Sequence, residues 1–431
     1  MLQIQFLQRE TATALARLAK RGADFSSLVE EILAEDQRRR ESLAQLERLR
    51  AEANKIAKSA GTAIAKGDVA AADRARNQSA ELKTAVARLE QSVAEIETRL
   101  HDLLVRLPNA PHESVPPGRG AEDNVVVHER RRETHPDAEP KPHWEIVSDL
   151  GTVDFERGAK ISGSGFPVYV GAGARLQRAL IQFFLDRAQN AGYLEIHAPH
   201  LVNSDTAFGT GQLPDKEGQM YFVCADDLYL IPTAEVPITN LYRDEIIAEE
   251  RLPVKLCGYT PCFRREAGSY GKDVRGLNRL HQFDKVEIVQ IVKPETAYDA
   301  LEEMTRYAES LLDELELSYR RVLLCGGDMG FASAKTYDLE VWSAGQSRWL
   351  EVSSVSCFEA FQANRMKLRY RPSGGGKPQP LYTLNGSALA LPRVVAALLE
   401  NHRRKDGTVR LPACLHEFFG AAQLTSGGAT L

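Results

Sequence analysis

With 431 residues, 43% hydrophobic and 26% charged, the chain has the make-up of a soluble globular protein of two or three domains. Its net charge of −5 excludes a body that coats nucleic acid, so any RNA contact has to come from a local patch. Cysteines 224, 257, 262, 325, 357 and 414 lack any paired CxxC spacing, against a disulfide framework or a zinc site, and neither an apolar leader nor a run of about 18 apolar residues appears, which makes the cytoplasm the expected compartment.

From Leu28 to Leu104 the chain is rich in Ala, Leu, Glu, Arg and Gln, has no proline, and has glycine only at Gly61 and Gly67. Leu82, Val86, Leu89, Val93, Ile96, Leu100 and Leu103 alternate steps of four and three, the seam of a coiled coil. Leu28, Ile32, Leu43, Leu46, Ala53, Ile56 and Ala60 repeat it more loosely, so the spacing predicts a helical hairpin that turns at Gly61 to Asp68. Helices of about 35 residues reach roughly 50 Å and can project from a globular body. Basic Arg38, Arg39, Arg40, Arg48, Arg50, Lys55 and Lys58 outnumber acidic Glu41, Glu47 and Glu52 along one stretch, and Arg74, Arg76, Lys83 and Arg88 add to the facing helix. Two readings stand: a solvated coiled-coil surface, or a phosphate-gripping face.

Pro108, Pro111, Pro116, Pro117, Pro136, Pro140 and Pro142 among charges read as a linker. Beyond Ala172, amphipathic helices alternate with strands rich in Val, Ile, Tyr and Phe. An α+β domain with an antiparallel sheet is expected, since GxGxxG and the P-loop signature are both absent.

A strand from Lys255 to Glu266 enters the loop AGSYGKDVRGLNRLHQ and returns as the strand Phe283 to Val292. The loop, with Gly268, Gly271 and Gly276 beside Lys272, Arg275 and Arg279, is far longer than an ordinary hairpin turn and suits a polyphosphate that must be enclosed and released. Strand alternation places Arg264 with Glu266, and Phe283 with Glu287, as one wall of a pocket. Arg264 supplies a fork for a phosphate, and Phe283 an apolar plate for a base. Glu287 is an acid in an apolar stretch with no obvious local cation, which a ligand ammonium would satisfy. The alternative is a structural salt bridge between Arg264 and Glu287.

The words FRREAGSYGKDVRGLNRLHQFDKVE closely resemble motif 2 of the class II aminoacyl-tRNA synthetases in its seryl form. LIPTAEVPITN (230–240) resembles that family's serine-binding segment, residues 174–202 resemble motif 1 with its proline at Pro199, and TLNGSALALPRVVAALLENH (383–402) resembles motif 3. The resemblance covers nearly the whole chain. It implies an N-terminal tRNA-binding domain over residues 1–107, a linker and entry over 108–171, and a class II catalytic domain over 172–431, with motif 2 over about 255–292.

It also implies site residues. Arg264 and Arg393 would act on the phosphates in catalysis. Thr233, Ala234, Glu235, Arg264, Glu287, Asn385 and Ser387 would hold L-serine. Arg264, Arg265, Glu266, Arg275, Phe283, Glu351, Val352, Ser353, Ser354 and Arg393 would hold ATP, with Glu351 and Ser354 ligating Mg²⁺. No zinc is expected. Arg38, Arg39, Arg48, Lys55 and Arg76 would meet tRNA(Ser), with tRNA(Sec) a further substrate where it exists, and the tRNA would bridge the subunits of a homodimer. Taken singly, Glu351 also reads as an edge-strand charge, Ser387 as an N-cap and Arg393 as a helix-surface residue. A helix opening at Asn385-Gly386-Ser387 would offer N–H groups to anions, and Pro392 directly before Arg393 departs from the family pattern in a way that could shift the helix pitch. Two rivals remain: stand-alone relatives that load a carrier protein, which lack the arm, and a non-catalytic scaffold, which would have lost a motif arginine or glutamate.

Overall fold

The computed structural model describes residues 1–132, 139–215, 217–267 and 275–426, so Gly268, Gly271 and Lys272 of the expected loop lie outside the described residues. The structure divides into two compact units, one of residues 1–19 and 23–108, the other of residues 20–22 and 109–431.

In the first unit the proline-free run forms helices α1 (Ser26–Ala65) and α2 (Val69–Arg106). Val93, Ile96, Leu100 and Leu103 are buried, whereas Leu82, Val86 and Leu89 are half-buried, because a pair of helices encloses its seam on two sides only. The turn is shorter than the glycines suggest. Helix α1 runs through Gly61 to Ala65, since one glycine costs a helix only about 1 kcal/mol, and the reversal is confined to Lys66, Gly67 and Asp68. Gly67 takes φ +71° there, and the Asp68 carboxylate caps α2 by accepting from Ala71 N–H at 2.9 Å.

The second unit is built on an eight-stranded sheet. Its strands are β1 (Val125–Arg130), β2 (Leu194–Glu195), β3 (Val254–Phe263), β4 (Gln282–Val292), β5 (Tyr319–Leu323), β6 (Lys335–Ser343), β7 (Arg348–Cys357) and β8 (Tyr382–Ala390). They lie in the order β1-β5-β6-β7-β8-β4-β3-β2, antiparallel throughout except for the β2–β3 pair. Strand β1 falls in the stretch expected to be linker; its run VVVHER is exposed at all six positions and so carries no burial alternation to reveal it.

Period-two alternation sorts the sheet into an apolar and a polar face. Val286 and Ile288 of β4 and Leu384 and Ala388 of β8 pack into a core with helices α4 (Ala172–Asn190), α6 (Ala297–Glu314) and α7 (Leu391–Asn401). Phe283, Lys285 and Glu287 of β4, and Asn385 and Ser387 of β8, line the cavity. Two shorter helices complete the frame of the site, α3 (His143–Leu150) and α5 (Glu235–Asn240).

Candidate active site

A cavity of about 700 Å³ lies over β4, β6, β7 and β8, beside the residues that follow β3. Thr233, Glu235, Arg264, Glu266, Phe283, Glu287, Glu351, Val352, Ser353, Ser354, Asn385, Ser387 and Arg393 all line it. Ala234 does not: it is fully buried in an apolar cluster with Ile238. Arg265 and Arg275 are absent from the wall as well.

At the deep end, β4 and β8 pair Glu287 with Ser387. Glu287 is completely buried and already has a cation, the Lys285 ammonium at 2.6 Å. This corrects the expectation of an acid without a local partner. Two residues apart on one strand share a face, so strand alternation alone sets Lys285 beside Glu287. The alternative pairing with Arg264 is not formed; among the described residues Arg264 makes no ion pair and instead lies over the Phe283 ring, 5.2 Å from its centroid.

Asn385 Nδ2 donates both to Glu287 Oε1, at 2.9 Å, and to Glu235 Oε2, at 3.0 Å. Glu235 Oε1 accepts from Gln362 Nε2 at 2.7 Å, and Gln362 Oε1 in turn accepts from Thr383 Oγ1 at 2.7 Å. Burial, with the Glu287 charge adding to it, lifts the Glu235 carboxyl to about 7, against the Gln362 hydrogen bond and the charges of Lys285 and Arg264. Two carboxylates, Glu235 and Glu287, and two cations, Lys285 and Arg264, thus line the cavity together.

At the other end the expected alternation of Arg264 and Glu266 gives way. Strand β3 stops at Phe263 and Glu266 takes φ 49°, yet both side chains reach the cavity because the chain turns. Glu266 pairs with Arg279 at 3.0 Å, an arginine that also lines the cavity. Arg275 stacks on Trp144, 4.8 Å from its ring centroid, instead of reaching inward. Four consecutive residues from Glu351 to Ser354 border the cavity, where a register shift between Leu339 and Glu340 interrupts the alternation of β7, although the Val352 side chain is buried in the apolar core.

Asp338, which faces Ser354 across β6 and β7, also lines the site. Its Oδ1 is shut from solvent with no hydrogen-bond partner among the described residues, and burial, with Glu351 adding to it, pushes its carboxyl well above the usual range. Asn385 and Ser387 lie within β8, so the expected helix opening there is not found; α7 starts at Leu391. Pro392 occupies the first turn, where its missing N–H costs nothing. Arg393 is braced by the Asn278 and Glu351 carbonyls at 2.9 and 2.7 Å.

One wall is held by a residue distant in sequence. The Arg21 guanidinium donates to the carbonyls of Asn109, Met329, Gly330, Phe331 and Ser333, fixing a loop whose residues Gly330 to Ser333 line the cavity. Burial without a carboxylate drags Arg21 down to about 10. No sequence motif marks it.

In the helical unit, Arg38 pairs with Glu35 at 2.9 Å, Arg39 with Asp36 at 2.7 Å and Arg76 with Asp73 at 3.8 Å. Arg48 and Lys55 stand on the distal half of α1.

An antiparallel sheet carrying a polar cavity floored by β4 and β8, with an arginine at the head of α7, defines a class II aminoacyl-tRNA synthetase. Residues 222–402 match the model of the tRNA synthetase class II core domain (G, H, P, S and T), and residues 1–111 that of the seryl-tRNA synthetase N-terminal domain. A serine–tRNA ligase of Salinibacter ruber is 50% identical over 424 residues, 98% of this chain and 99% of the relative. The crystal structure of seryl-tRNA synthetase from Pyrococcus horikoshii complexed with ATP superposes with a TM-score of 0.92 at 37% identity, covering 99% of each chain. The cytoplasmic serine–tRNA ligase of Naegleria fowleri, in complex with AMP, shares the fold, with a TM-score of 0.88 at 24% identity. The chain belongs to the seryl-tRNA synthetase family.

Proposed function

We propose that the deep end of the cavity binds L-serine and its outer end ATP, so that the serine carboxylate attacks the α-phosphorus to give seryl-adenylate and pyrophosphate. The terminal ribose hydroxyl of tRNA(Ser) then takes the seryl group. The chain is a serine-specific aminoacyl-tRNA ligase. What carries the assignment of the two ends is the buried cluster Glu235–Asn385–Glu287 beside Arg264. The two carboxylates suit an ammonium, and Arg264 stands where a carboxylate and a phosphate would meet.

Neither step needs a protein nucleophile. Thr233, Glu235 and Glu287 orient the amine, Ser387 and Asn385 bound the side-chain pocket, and Arg264 with Arg393 stabilises phosphoryl charge. Glu351, Ser354 and the unpartnered Asp338 Oδ1 form a hard-oxygen donor set that fits Mg²⁺. Among the described residues no cluster of three or more His, Cys, Asp or Glu could hold a metal by itself, so remaining ligands would come from phosphate and water. Mg²⁺ so held would neutralise polyphosphate charge.

Residues 1–107 serve tRNA binding, with Arg48 and Lys55 on the distal arm, and residues 172–431 catalysis. The enzyme works as a homodimer with tRNA bridging its subunits, in the cytoplasm, and accepts tRNA(Sec) where that tRNA exists. Among the described residues no helix is long and apolar enough to cross a membrane. The decisive experiment is serine-dependent ATP–pyrophosphate exchange by Arg264→Ala. Loss on the order of 10² or more is expected from removing a charge-stabilising donor, and an unchanged rate refutes the assignment.

A further inference from the structure

His143 opens α3 and is completely buried, far in sequence from any nucleotide-binding segment. Its Nδ1 lies 2.8 Å from Glu400 Oε1, and the same oxygen accepts from His143 N–H at 2.9 Å. Glu400 Oε2 accepts from Ser343 Oγ and, at 3.0 Å, from Gly345 N–H. Burial pushes the Glu400 carboxyl up, but its hydrogen bonds from His143 and Ser343 outweigh burial and hold it below the usual range.

The other ring nitrogen fixes the tautomer. Nε2 accepts from Leu277 N–H at 2.8 Å, and a backbone N–H can only donate, so Nε2 carries no proton and Nδ1–H points at Glu400. The fit is close: Gly276 takes φ +67°, and a Cβ there would stand 2.3 Å from Nε2.

Leu277 begins the segment that returns from the motif 2 loop to the cavity. The next residue, Asn278, is held from the same cluster, its Nδ2 donating to Gln346 Oε1 at 2.9 Å while Gln346 Nε2 donates to Glu400 Oε1 at 3.2 Å. Asn278 in turn offers its carbonyl to Arg393 Nε at 2.9 Å, and Arg279 follows with its contact to Glu266. A buried histidine–glutamate pair therefore ends, through two backbone groups, on the motif 3 arginine.

We propose that His143 is a positioning residue for the nucleotide end of the site: its neutral Nε2 holds residues 277–279, and through Asn278 the Arg393 guanidinium, where the triphosphate binds. The proposal rests on the reading that Arg393 meets ATP. A histidine that only stabilised the fold would disturb both substrates alike; this brace touches one end of the cavity, while the serine end hangs on β4, β8 and α5.

The test is ATP–pyrophosphate exchange by the full-length protein, varying ATP and serine separately. His143→Phe should raise KM for ATP roughly tenfold, the scale of one buried hydrogen bond left unmade, with KM for serine unchanged. His143→Gln, whose amide oxygen can accept from Leu277 N–H, should recover most of the loss. Equal rises in both KM values, or an unchanged KM for ATP in folded His143→Phe, overturn the proposal. If His143→Phe does not fold, the half-buried Gln346→Ala decides: a several-fold rise for ATP alone supports the brace, and no change overturns it. Arg393→Ala separates the two layers of the argument. An unchanged KM for ATP in that variant overturns the underlying reading, whereas a crippled Arg393→Ala beside an unaffected His143→Phe overturns the brace alone.

Discussion

Glu235 and Glu287 share the two protons of one Asn385 amide, and among the described residues only Glu287 has its own cation, Lys285 at 2.6 Å. Two buried carboxylates so close cannot both ionise freely, and Glu235, lifted to about 7 by burial and by Glu287, is the one that yields. Because its pKa in the folded state is raised, Glu235 becomes neutral as the pH falls below about 7, which would weaken the attraction proposed for the serine ammonium. Expected is a KM for serine that rises as pH drops through that value, with the slope flattened in Glu235→Gln; a pH series of exchange kinetics on the two proteins checks it. Lys285 belongs to the same account. Lys285→Met leaves Glu287 buried without its cation, which costs on the order of 3–5 kcal/mol, and thermal melts should show that loss together with weakened serine binding.

At the scale of elements, the site depends on where strands stop and helices start. The β8–α7 junction delivers Asn385 and Ser387 from a strand and Arg393 from the first turn of a helix, with Pro392 between. Pro392→Ala should lower stability by only about 0.4–1 kcal/mol, through the unfolded chain's added freedom, and leave exchange unchanged. A large loss of exchange would show that the proline sets the arginine's direction after all. The irregularity in β7 acts similarly, shifting its register against β6 where Glu351, Ser353 and Ser354 border the cavity while Val352 packs into the core.

At the scale of the molecule, the helical unit and the catalytic unit are separate compact bodies, and the chain carries a net charge of −5. On the proposed function, RNA binding belongs to the distal arm, where Arg48 and Lys55 stand, and adenylate chemistry to the sheet. Deleting residues 36–98 should abolish charging of tRNA while sparing ATP–pyrophosphate exchange. Both assays on one preparation test this, and intact charging would remove the arm from the mechanism. At the arm's base, Arg38 and Arg39 are tied to Glu35 and Asp36, so substitutions there should disturb charging less than Arg48→Ala.

The arm, the polar sheet face and the residues of the three motifs were legible in the sequence because each is a local pattern: a heptad, a two-residue alternation, a run of words. Period two brings Phe283 and Glu287 to one wall in any register, and the same rule brings Lys285 beside them. Four features were decided only in three dimensions. β7 changes phase because of how it pairs with β6, and the motif 3 helix starts later than its opening words suggest, because Asn385 and Ser387 hydrogen-bond as strand between β4 and β7. Arg21 reaches a loop some 310 residues away. His143 meets Leu277 across 134 positions. No spacing in a sequence encodes such contacts: they arise when packed elements bring backbone groups, here five carbonyls and one N–H, against a side chain that can bond them.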